Sequence, residues 1–177
     1  MKAKIIPTLV NTAANTEMLI GIPERRILDL SVVYRIIEED EDGFSAALVT
    51  EEILTEMKMS FEEMEAIAAE NFKREYKALI FELTETFKVI TNSDRLFGAT
   101  GLLYEELLTE AAASFGGDFY ILPASVHELM LVPDGTLTVA ELTEILREGN
   151  ERIASAEEFL SDNIYRYSDG KLELISA

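Results

Sequence analysis

The sequence predicts an α+β fold in which a mainly antiparallel sheet carries helices packed largely on one side. Three observations predict it. Apolar and alternating segments of strand length recur along the chain, at Ile27–Glu39, Phe44–Val49, Leu79–Leu83, Phe87–Thr91 and Phe119–Val132. Turn residues separate neighbouring segments of that kind, as hairpins require, at Asp42-Gly43 and Ser168-Asp169-Gly170. Capping boxes open amphipathic segments at Ser60, Thr138 and Ser155, each with a Glu three residues on. The length suits one domain, 1–177, or two small sublobes, 1–78 and 79–177, sharing a core.

Taken in order, Ile5–Val10 is a short apolar segment that Pro7 confines to an edge strand or extended arm. Asn11–Pro23 reads as loop with a helical turn. The strand from Ile27 sets Leu28, Leu30, Val32, Tyr34 and Ile36 on one face and Asp29, Ser31, Val33 and Arg35 on the other. The acidic run Glu38–Asp42 then closes a hairpin onto Phe44–Val49. Thr50 and Ser60 are N-caps, and the helix after Ser60 shows Phe61, Met64, Ile67, Ala68, Phe72 and Tyr76 on one stripe. The second half starts with strands at Leu79–Leu83 and Phe87–Thr91, a turn at Asn92-Ser93-Asp94, and a strand at Leu96–Leu102. A helix over Tyr104–Phe115 ends at Gly116-Gly117, which suit a left-handed C-cap. Thr138 opens a helix with Val139, Leu142, Ile145, Leu146 and Ile153 inward, and Ser155 opens a shorter one. A hairpin of Asn163–Tyr167 and Lys171–Ile175 ends the chain.

Composition removes several kinds of chemistry. At 48% hydrophobic and 28% charged residues the chain is a folded domain rather than a disordered one. With no Cys there is no disulfide, thiolate nucleophile, zinc ribbon or iron–sulfur cluster. No apolar run reaches the ~20 residues of a membrane helix. The start MKAKIIPTLVN is broken by Pro7 and does not read as a signal peptide, so a cytoplasmic protein is expected, without membrane contact. The 34 acidic and 15 basic residues leave a net charge of −19, which repels nucleic acid and anionic lipid. Solubility accounts for that charge. An acidic decoy that occupies the basic groove of a nucleic-acid-handling protein is the sharper alternative.

The only His, His127, stands beside Glu128 in DFYILPASVHELMLVPD, Asp118–Asp134. If Val126–Val132 is a regular strand, His127 shares a face with Leu129 and Leu131, and Glu128 joins Met130 and Val132. The two candidate catalytic groups then point apart. The zinc-protease pattern fails, since Leu131 stands where a second His is required. No metal or cofactor set emerges. A carboxylate between apolar neighbours either sits at the strand's end near water or needs a cation; pairing of Glu128 with Arg35 or Arg166 is expected, and these three are the candidate binding residues.

GATGLLYEELL, GGDFYILPASVHELMLVPD and EEFLSDNIYRY, with IPTLVN and IPERRILDLSVVYRI before them, resemble a bacterial domain-of-unknown-function family, numbered fifty-six eighty-eight. The second half is also similar to YtpQ-type domains. The resemblance spans nearly the whole chain and implies a shared fold without a reaction. Relatives tend to have Pro where this chain has Glu105, and often His where it has Asn163; if that second His works with His127 in relatives, that function is weakened or absent here. The join Lys77–Phe87 is short against relatives. The expected role is a non-catalytic protein-binding or regulatory domain with a protein partner. The alternatives are the acidic decoy and a small hydrolase centred on His127.

Overall fold

The computed structural model describes residues 4–40, 43–153 and 155–175. They form two compact units, Met1–Lys77 and Ala78–Ala177.

The first unit is built on one long strand. β1 (Lys4–Asn11) pairs antiparallel along one side of β3 (Leu30–Asp40), while β2 (Arg25–Ile27) and β4 (Gly43–Leu48) share its other side. Pro7 sits in β1 opposite Tyr34, and β1 pairs with β3 alone, so the missing N–H falls on an edge strand. The strand expected from Ile27 is interrupted. Leu28-Asp29 is a two-residue hairpin between β2 and β3, with Leu28 left-handed at φ 55°. Leu28 therefore leaves the face of Leu30, Val32 and Tyr34. Alternation cannot reveal a turn made without Gly or Asn, where a branched residue accepts a strain of roughly 1–2 kcal/mol. β3 runs on to Asp40, which pairs with Gly43, and the expected turn residues Glu41 and Asp42 lie outside the described residues.

Both expected N-caps form. Thr50 Oγ1 accepts from Ile53 N at 3.2 Å at the start of α1 (Glu51–Met57). Ser60 and Glu63 close a reciprocal box at the start of α2 (Phe61–Glu75). The latter helix packs on β1 with Met64, Ala68 and Phe72 buried, and Asn71 Nδ2 donates to the Ile5 carbonyl at 2.9 Å. Ile67 does not join this stripe and is 41% exposed, because it lies one helical step of about 100° from Ala68. Tyr34 Oη donates to Glu65 Oε1 at 2.6 Å and Arg25 Nε donates to the same oxygen at 3.0 Å, tying β3 and β2 to α2. Burial, and then this carboxylate, raise the Tyr34 hydroxyl pKa well above its ordinary value.

In the second unit six antiparallel strands lie in the order β10-β9-β7-β8-β6-β5. They are β5 (Leu79–Glu82), β6 (Lys88–Thr91), β7 (Phe119–Ser125), β8 (Glu128–Pro133), β9 (Ile164–Ser168) and β10 (Lys171–Ile175). Phe119, Ile121, Leu131 and Tyr165 are buried on one face. There Phe115 of α3 (Glu105–Phe115) meets Phe119 at 5.7 Å, and Thr109 hydrogen-bonds Tyr167. On the other face Leu142 and Leu146 of α4 (Val139–Asn150) cluster with Leu122, Val132 and Ile164. The antiparallel α+β class holds, and in this unit the helices divide between the two faces.

Leu96–Leu102 is not a strand. Phe97 is left-handed, and Gly98–Leu103 forms a 3₁₀ helix pressed against the sheet. A Cβ on Gly98 would stand 2.5 Å from the His127 carbonyl oxygen and 2.6 Å from Thr91 Cα, so only glycine allows the approach. A short apolar run records burial without choosing between strand and helix. The third capping box yields a turn, with Glu157 N donating to Ser155 Oγ at 3.1 Å and Glu158 N to the Ser155 carbonyl at 3.0 Å. Ile145 is 39% exposed and Ile153 lies beyond the end of α4, leaving Leu142 and Leu146 as its buried residues. The C-cap at Gly116 (φ 78°) and the terminal turn, left-handed at both Asp169 and Gly170, form as expected.

Candidate functional site

β7 and β8 are joined by the two residues Val126 and His127, since Ser125 pairs with Glu128. The strand expected from Val126 begins only at Glu128. His127 is thus a turn residue, half-buried, and does not share the face of Leu129 and Leu131. Its main-chain N–H donates to Ser125 Oγ at 3.1 Å and its carbonyl accepts from Thr91 Oγ1 at 2.9 Å. The ring turns towards Phe97 instead: Nδ1 accepts the Phe97 N–H at 3.1 Å, with the rings 5.8 Å apart. That bond places the ring proton on Nε2, which leaves no imidazole lone pair free to abstract a proton. In this arrangement His127 is a fastening for the loop before the 3₁₀ helix.

That loop is rigid for a second reason. Asn92 donates Nδ2 to the Leu96 carbonyl at 2.7 Å and accepts from Leu96 N at 3.0 Å, closing the turn predicted at Asn92-Ser93-Asp94. Arg95 and Phe97 both hold left-handed φ, at 52° and 55°. Two strained non-glycine residues two positions apart persist only where surrounding contacts hold them. Here the contacts are the Asn92 side chain and the His127 ring.

The loop walls a concavity of about 570 Å³ on the face of the sheet that carries Glu128. The register makes its floor: Phe81 pairs with Val89, and Val89 with Met130. One end is polar, with Thr91, Asn92, Ser93, Arg95 and Glu128. At the other end Glu82 and Leu83 form the rim. Phe81 and Leu83 are exposed at 39% and 56%, high values for apolar groups at the edge of a sheet. Glu128 and Arg95 are exposed, and their side chains make no hydrogen bond or ion pair with other described residues.

The expected pairing of Glu128 is corrected. Arg166 donates to Asp118 at 2.9 Å and Asp134 at 2.7 Å, and Ser168 Oγ donates to Asp118 at 2.6 Å. Asp118 and Asp134 flank the Phe119–Pro133 pair, and Arg166 stands opposite Tyr120, so strand register delivers the guanidinium to that end of the hairpin. Arg35 lies in the first unit, where Nη1 donates to the Ala46 carbonyl at 3.2 Å across β3 and β4. Sequence reasoning missed Arg95, Phe81 and Met130 as a group, although the Asn-Ser-Asp turn just before Arg95 was legible. Their assembly depends on β6 lying between β5 and β8, which no local pattern encodes.

Among the described residues no cluster of His, Asp or Glu is arranged to hold a metal ion. No helix among them is long and apolar enough to cross a membrane. Several acids are committed locally. The Ser60 and Thr138 backbone N–H groups hold Glu63 and Glu141 below the usual carboxylate range, and Arg147 engages Glu144 and Glu151 along α4.

A model for a family of unknown function, DUF5688, matches residues 1–88 and 84–169. No curated protein and no solved structure matches the chain. The two matched stretches overlap in the β5–β6 hairpin. Glu105 is the first residue of α3, where an acid suits the helix dipole. Over nearly its whole length, through both the β1–β3 ladder and the β7–β8 hairpin that frames the concavity, the chain belongs to the DUF5688 family of unknown function.

Proposed function

We propose that the chain is a non-catalytic binding module that takes a segment of another protein into the concavity floored by Phe81, Val89 and Met130. The observation that carries the reading is a pre-shaped hollow of about 570 Å³ with an apolar floor and a polar end, walled by a loop that His127 and Asn92 hold in place. The two charged groups of its polar end, Arg95 and Glu128, are left for a visitor. His127 supports binding rather than catalysis, because its Nδ1 is occupied by an amide. The acidic-decoy reading is weighed down by Arg147, Arg74 and Lys4, which interrupt the acids of α4 and α2.

The test is selection of peptides against the whole chain from a random display library, followed by titration calorimetry. Selected peptides should share a motif, and Met130→Arg, which raises a cation from the floor, should weaken binding about tenfold or more. Phe44→Ala, an exposed change in the first unit, should leave it unchanged. Peptides without a common motif, or affinity indifferent to Met130→Arg, would refute the reading.

A further inference from the structure

The edge of the six-stranded sheet beside the concavity has a free row of backbone groups. β5 pairs with β6 alone. Leu83 N donates to the Phe87 carbonyl at 2.9 Å, which marks that pair as hydrogen-bonded. Antiparallel alternation then makes Phe81–Val89 and Leu79–Thr91 the bonded pairs as well. Ile80 and Glu82 face the other way. Their N–H and C=O groups point out of the sheet edge and meet no partner among the described residues.

We infer that the protein segment taken up at this site, if the binding reading above is right, docks as an added strand on β5 and alternates apolar with basic residues. A strand laid there receives backbone hydrogen bonds from Ile80 and Glu82. Its residues opposite Phe81 put their side chains on the Phe81 face, beside the exposed Phe81 and Leu83, which selects apolar groups. The residues between them fall on the face of Glu82. Glu82, with Glu85 in the following turn, is exposed, and neither acid forms a hydrogen bond or ion pair with described residues, so that face selects cations.

The same charges decide against a second copy of this chain as the occupant. Pairing two β5 edges would bring Glu82 and Glu85 of one molecule against those of the other, and like charges across a strand pair are destabilising. The shortness of β5, four residues, and its acid are also the usual protection against such self-pairing. A basic strand turns that protection into attraction.

The probe is a soluble peptide of about eight residues alternating lysine and valine, compared with its glutamate–valine counterpart and with forms N-methylated on one or the other alternate set. The lysine peptide should bind at least about tenfold more tightly than the glutamate one. Methylation of the set whose amides face β5 should weaken it about tenfold or more, and methylation of the other set should do little. Glu82→Pro, which removes an outward N–H and spares the ladder to β6, should abolish binding with far-UV circular dichroism unchanged, while Glu82→Ala retains part of it. Equal sensitivity of the two methylated sets, with Met130→Arg still disruptive, would overturn strand addition and leave the pocket reading standing. No binding by this probe would likewise overturn the inference, and the library selection then decides the pocket reading separately. Concentration-dependent dimers in sedimentation that Glu82→Pro dissolves would assign the edge to a second copy instead.

Discussion

Replacing Gly98 with alanine puts the packing of the site to a direct test. The added methyl would sit 2.5 Å from the His127 carbonyl oxygen, 2.6 Å from Thr91 Cα and 2.6 Å from Thr91 Oγ1. Carbon contacts are comfortable at about 3.5–4.0 Å, so a gap of roughly 1 Å must open. The hydroxyl can turn away, but the other two atoms are main chain, one at the end of β6 and one in the β7–β8 turn. Overpacking against atoms that cannot change rotamer belongs at the upper end of the usual 1–3 kcal/mol. The Gly98 backbone is not left-handed, so alanine regains about 1 kcal/mol by restricting the unfolded chain. The difference is a loss of about 2 kcal/mol, a shift of about 1 M in the urea midpoint for a slope near 2 kcal/mol/M. Urea unfolding followed by circular dichroism measures it. Gly117→Ala, whose methyl meets nothing within 4 Å, is the control and should change stability by less than about 0.5 kcal/mol. A Gly98→Ala midpoint equal to or above the parent's would refute the close approach of the 3₁₀ segment to His127 and Thr91, and with it the rigid wall of the concavity.

Three further outcomes are expected. Gly149→Ala, in the last turn of α4 with open space around it, should stabilise by about 0.5–1 kcal/mol in the same urea assay. Ser60→Ala should cost about 1 kcal/mol through the lost cap; because the folded state lowers the Glu63 pKa, this carboxylate's contribution is present at neutral pH and lost as pH falls through the lowered value, so the gap between parent and Glu63→Ala should narrow in acid. Tyr34→Phe removes the bond to Glu65 and should cost about 1.5–3 kcal/mol at pH 7. The folded-state pKa of Tyr34 is raised, so its contribution is whole below the ordinary value near 10 and declines as pH rises above it. Alkaline titration of unfolding should therefore fall more steeply in the parent than in Tyr34→Phe, and parallel curves would contradict the buried placement.

Local chemistry was legible wherever a residue acts within a few positions of itself. Ser60 and Thr138 meet their glutamates three residues away, Gly116 ends its helix, and Asp169-Gly170 turn the last hairpin. The turn at Leu28-Asp29 escaped because a leucine carries no mark of left-handed backbone. Leu96–Leu102 escaped because its apolar residues and glycines record the surface they press on, not the conformation they take. Arg166 was expected to pair with Glu128 and pairs instead with Asp118 and Asp134, 48 and 32 positions away, because strand register rather than local pattern sets its neighbours.

By itself the sequence determined the antiparallel α+β class, the caps, most turns, the family and the absence of thiol chemistry. The family rests on motifs spread along the chain, and the others on contacts within one turn or one strand, or on composition alone. Only the tertiary structure decided what His127 and Glu128 are. Strand order set β6 between β5 and β8, which turned Phe81, Val89 and Met130 into one floor and left Glu128 at its polar end. The tight packing of Gly98 brought Phe97 within reach of His127 and made the histidine a fastening. A site assembled from segments tens of residues apart depends on which strands are neighbours, and that is settled by global burial, to which periodicity is blind.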